Sequence, residues 1–208
     1  MMSAGDSAMV HDTRGPEAFT QLVELEQEAA QIFLNQPLHL PGLLQRRDYA
    51  AEIISGITGL AEDDPELTER VNLRMRRAAT FAQRLDGPNP PRLVAVIDEA
   101  ALRRKVGGAE VMRAQIAHLI EVSRRDTVQL AIVPFSAGGH PGQTGSLEVH
   151  EAADGRAALF FEGAAGDELI VSDQRRAQAH RDLVEGLAAS SVTGSEARQL
   201  LEKISDEL

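Results

Sequence analysis

The chain has 208 residues, carries 21 Lys and Arg against 32 Asp and Glu for a net charge of −11, and contains six Phe, one Tyr, no Trp and no Cys. That length suits one compact domain burying roughly 70% of its unfolded surface around an aliphatic core. The missing Cys excludes disulfides, thiolate metal sites and Cys nucleophiles, and the acidic balance opposes direct nucleic-acid binding, for which a surplus of Lys and Arg is the norm.

In chain order, "MMSAGDSAMVHDTRGP" (1–16) lacks the basic start and apolar stretch of a signal peptide and reads as a flexible tail. No run approaches 18 apolar residues, so a soluble, cytoplasmic protein with no membrane contact is expected. Leu22, Leu25, Ala29, Ile32 and Phe33 recur at helical spacing and predict a helix over 17–34. A second helix is expected over 43–56, and "EDDPELTER" opens a third whose core stripe is Val71, Met75, Ala78 and Leu85. "DGPNPP" (86–91) breaks this helical subdomain, 17–86, from the α/β domain, 92–208.

In that domain "RLVAVI" (92–97), the helical 109–125 and "TVQLAIVPF" (127–135) read as a βαβ unit with parallel strands. Residues 145–162 turn at "ADG" as an antiparallel hairpin, followed by helices at 173–189 and from Ser195, read as the cap. In the last helix Ala197, Leu200, Leu201 and Ile204 form a stripe that either joins its own core or docks a second copy as a homodimer. The fold class is α+β: a helical N-terminal layer, a small mixed sheet with one βαβ unit plus a hairpin, and two C-terminal helices.

"LPGLLQRRDYAAEI", "VIDEAALRRKVGGAEVMRAQIAHL", "VQLAIVPFSAGGHPGQTGSLEV" and "SEARQLLEKI" together resemble, over about residues 20–206, the C-terminal module of unknown function in actinobacterial Xre-type helix-turn-helix regulators, the WhiJ-like proteins. Only about twenty residues precede "LVELEQEAAQIF", too few for the DNA-binding head usual in that family. A further departure is Phe160 and Phe161, where the family tends to place Tyr or Val before the Glu. The resemblance implies the sensing or partner-binding half of a regulator. Its expected partners are a small antagonist protein, a full-length helix-turn-helix relative or a small molecule.

The candidate site is the loop "SAGGHPGQTGS". It lacks the Lys of a P-loop and the spacing of a dinucleotide fingerprint, and a strand follows it. It reads as a connector that also serves as the rim of a ligand site, because ligands in open α/β sheets bind beyond the carboxyl ends of the strands. The ligand-binding candidates are Gly138, Gly139, His140, Gly142, Phe161 and Glu162. Were the pocket an enzyme acting in a biosynthetic pathway of secondary metabolism, His140, Asp98, Glu99 and Glu162 would carry acid–base work. Asp98 also stands where a helix N-cap belongs. Arg70, Arg74, Arg77 and Arg84 form a basic stripe, either paired with the helix bearing Glu24 and Glu28 or gripping an anionic partner. The six His show no metal-binding spacing, so no metal and no cofactor are expected.

Overall fold

The computed structural model describes residues 12–14, 16–162 and 166–208. Most of the expected tail lies outside the described residues, although Thr13–Arg14 within it forms a short strand. The architecture is α+β, with seven α-helices and an eight-stranded mixed sheet among the described residues. In chain order these are β1 (Thr13–Arg14), α1 (Pro16–Glu28), β2 (Ala29–Gln36), α2 (Arg47–Thr58), α3 (Pro65–Leu85), β3 (Arg92–Asp98), α4 (Glu99–Arg103), α5 (Gly108–Val122), β4 (Val128–Val133), β5 (Ser146–Ala152), β6 (Ala157–Glu162), β7 (Glu168–Ile170), α6 (Gln174–Ala189), β8 (Val192–Thr193) and α7 (Gly194–Asp206).

The largest departure from the sequence reading is β2. Where the apolar spacing predicts helix to Leu34, the helix ends at Glu28 and the next eight residues form a central strand. Ile32 and Leu34 enter the core on one face of the sheet and Phe33 the core on the other, so the strand is apolar on both sides. A short run of that kind fits helical and two-sided strand patterns equally well. Residues 29–36 thus stand inside the sheet built by the later chain, which is larger than the small sheet expected.

The sheet order is β1-β7-β6-β5-β2-β3-β4-β8. β2, β3 and β4 run parallel, so two strand–helix–strand crossovers are present, through α2–α3 and through α4–α5. β5 pairs antiparallel with β2 and, as expected, with β6 in a hairpin. On one face α6 packs Ala177, Val184 and Leu187 against Val94, Val149 and Leu159. The other face is covered by α2, α3, α5 and α7 over β2–β4 and by α1 over β6 and β7. Ala197, Leu201 and Ile204 of α7 are buried in this second core, so that stripe is spent on its own chain.

Local chemistry sets the element ends. Asp64 accepts the Glu66 N–H at 2.8 Å with Pro65 just behind it, which starts α3 where "EDDPEL" predicts. At α7 the cap position falls to Thr193, not Ser195, because Val192–Thr193 are held as edge strand β8 against β4. In α2, Tyr49, Ala50 and Ile54 make the buried face, while Ile57 is 67% exposed. No helix is long and apolar enough to cross a membrane among the described residues.

Candidate functional site

Because β2, β3 and β4 are parallel, their carboxyl ends share one edge of the sheet. Asn35, Asp98 and Val133 mark that edge, and the glycine loop lies across it. The loop is clasped at several points. Asn35 Nδ2 donates to the carbonyls of Gly142 at 2.8 Å and Gly145 at 2.9 Å. His140 Nε2–H donates to Asp98 Oδ2 at 3.0 Å. The Phe135 N–H donates to Glu99 Oε2 at 2.8 Å, and the other Glu99 oxygen accepts from Arg103.

Asp98 also caps α4 as expected, its Oδ1 accepting the Ala100 N–H at 2.8 Å. Gly142 is required by contact: a Cβ there would lie 2.6 Å from Asn35 Oδ1 and 2.9 Å from Leu187 Cδ1. Gly138 adopts φ +67, which the left-handed turn at the loop tip demands.

The structure therefore joins His140 to Asp98, with Glu99 alongside, and splits the remaining candidates. Phe161 lies on the α6 face, two strands from β2, against the His180 ring at 5.4 Å and under Arg176. Glu162 lies on the opposite face, three strands from β3 and hence roughly 14 Å across the sheet at ~4.8 Å per strand. Its partner is His39 at 3.3 Å, not His140. The His140 and Asp98 side chains are nearly buried, and among the described residues no hydroxyl is hydrogen-bonded to His140. Their geometry holds a loop and offers one orienting His–carboxylate pair.

On the α1–α3 face lies a second polar cluster. Glu148 and His150, alternate residues of β5, point away from the Leu147–Val149 core and are buried. His150 Nε2–H donates to Glu148 Oε2 at 2.9 Å. Burial pushes the Glu148 carboxyl up, but the hydrogen bond and charge of His150, with Arg77 nearby, outweigh it and leave it below the ordinary carboxylate value. Glu26 of α1 takes both oxygens to Arg77, through Nε at 2.8 Å and through Nη2.

The basic stripe is thus largely turned inward, and its acid is Glu26 rather than Glu24 or Glu28. Arg84 donates to the Glu26 and Ala29 carbonyls, Arg74 to Gln45 Oε1 at 2.9 Å, and only Arg70 of the four sits on an exposed pair, with Glu66. Toward the edge of the cluster, burial lowers His39, but its hydrogen bond and charge contact with Glu162 prevail and raise it. The same hydrogen bond holds Glu162 low.

The sequence reading missed Glu26, Glu148 and His150, because "SLEVHE" alternates like a strand with a solvated face. Only α1 packed over β5 makes that face interior. One potential ligand atom from each of the three lies within 4.8 Å of the others, a convergence that no spacing along the chain announces.

No curated protein and no solved structure matches the chain. A family model described as a domain of unknown function, DUF5753, matches residues 19–203, from α1 to the last turns of α7. The chain belongs to the DUF5753 family.

Proposed function

We propose that the chain is a cytoplasmic regulatory module, of the kind the helix-turn-helix regulators carry at their C-terminus, acting by binding a protein partner. The observation carrying this reading is the pair of large apolar side chains at the clasped edge. Phe135, just past β4, is 59% exposed, and Leu38, just past β2, is 63% exposed. Isolated exposed apolar residues are ordinary on a protein surface. Two of them flanking a loop pinned by buried polar groups suit a partner-binding edge, where aromatic anchors concentrate binding energy. The net charge of −11 favours a basic partner over an acidic one. Partner contact would bias the clasped against the released loop.

The test is affinity isolation from host cells with the wild-type chain, Phe135→Asp and Leu38→Asp in parallel. A basic protein retained by wild type and lost from both variants, with unfolding midpoints unchanged, supports the reading. Equal retention by all three overturns it.

The His140–Asp98 pair favours a second reading, an enzyme acting on a small molecule, since a carboxylate-held imidazole is a serviceable general base. His140→Ala separates the two: loss of a measurable turnover with the partner still bound would favour catalysis.

A further inference from the structure

The cluster under α1 and α3 has no part in the partner-binding edge, and its charges are costly. Each ion buried away from water loses several kcal/mol of hydration, which pairing only partly recovers. Glu26, Arg77, Glu148 and His150 are all buried, and none of the four caps a helix or closes a turn.

We propose that Glu26, Glu148 and His150 form a binding site for one divalent transition-metal ion. The donor set is two carboxylates and an imidazole, which suits zinc, manganese or ferrous iron and is too nitrogen-bearing and sparse for calcium. The mutual distances, within 4.8 Å, are those of atoms that can surround a single ion. Arg77 supports the arrangement from outside. Its fork engages one lone pair on each Glu26 oxygen and orients the carboxylate, and each oxygen keeps a second lone pair for a metal.

One further atom points the same way. His150 Nδ1 is buried and has no hydrogen-bond partner among the described residues, although the residue is only 3% exposed. Buried polar atoms seldom go unsatisfied, and a bound ion would satisfy this one. A cleft of about 220 Å³ between α1 and α3, lined by Glu26 and Arg77 together with Val23, Leu73 and Phe81, reaches one of the three ligands from outside.

The experiment uses the full chain stripped with a chelator and titrated separately with zinc and manganese. Calorimetry is combined with elemental analysis after gel filtration. Wild type is expected to retain one ion per chain and to melt at a higher temperature with the ion than without it. Glu148→Gln and His150→Asn lose the stoichiometric ion, and Arg77→Lys weakens it by about 10- to 100-fold. His39→Ala and His140→Ala keep it. Far-UV circular dichroism establishes that each variant is folded, and Glu26→Gln replaces any that is not. The proposal is overturned by wild type that retains no ion of either kind. Retention by folded Glu148→Gln and His150→Asn overturns it equally, as does loss on removing His39 or His140.

Discussion

Replacing Arg77 by Met leaves Glu26 buried without the guanidinium that engages both its oxygens, and withdraws positive charge from the nearby Glu148. The side chains of Arg77 and Glu26 are 4% and 7% exposed, so little water reaches either carboxylate oxygen to compensate. Removing one partner of such a pair costs about 3–5 kcal/mol, because an uncompensated buried charge remains. The contact of Arg77 with the Phe19 ring, 4.6 Å from its centroid, is lost as well. In a chain of this length each kcal/mol moves the melting midpoint by about 2–4 °C, so a fall of about 6–20 °C is expected. Urea unfolding of chelator-treated protein gives the free energy directly, with no bound ion contributing. Glu26→Leu in the same chain removes the stranded charge, so the double variant should recover part of the loss, with a coupling of about 0.5–3 kcal/mol. A single-variant loss below about 1 kcal/mol, with strictly additive double-variant data, would refute the view that this pair is buried and mutually dependent.

The clasp is tested by Asn35→Ala, which leaves the Gly142 and Gly145 carbonyls without their donor and should cost about 1–3 kcal/mol in urea unfolding. Gly142→Ala pushes a Cβ against Asn35 and Leu187; amide hydrogen exchange across 134–145 should accelerate while β3 and α5 stay protected. The His39–Glu162 pair predicts a pH window. His39 is raised in the fold, so its contribution is fully present below about pH 6.5 and is lost as pH rises through its folded value. Glu162 is lowered, so its contribution is fully present above about pH 4.3 and is lost as pH falls through its folded value. The stability difference between wild type and Glu162→Gln should therefore peak between those limits, and a difference flat from pH 4 to 8 would contradict the pairing.

Much of the architecture was legible where one periodicity dominated. The strand–helix–strand from Arg92 to Val133 and the hairpin turning at Asp154–Gly155 follow from alternation and turn chemistry. β2 was not legible, because Ile32, Phe33 and Leu34 are buried on both faces and leave no alternation to read. Strands β1, β7 and β8 run two or three residues, too short to carry any period. At the site, the meeting of His140 and Asp98 follows from strands ending at one edge of a parallel sheet. The Glu26–Glu148–His150 group does not, since Glu26 lies more than a hundred residues before the other two and meets them only after α1 docks on β5. Glu162 was assigned to the wrong neighbourhood for a related reason: one step along a strand reverses the face, and Glu162 faces away from the loop that Phe161 shares a side with.

The partner-binding reading is tested most directly by native mass spectrometry of the chain purified gently from its own host, alongside Phe135→Asp. The account predicts an additional mass of a small basic protein at fixed stoichiometry in wild type, absent from the variant and shed as salt is raised. A bound metabolite with no protein partner, or a partner retained equally by Phe135→Asp, would contradict it and make His140 and Asp98 the residues to pursue.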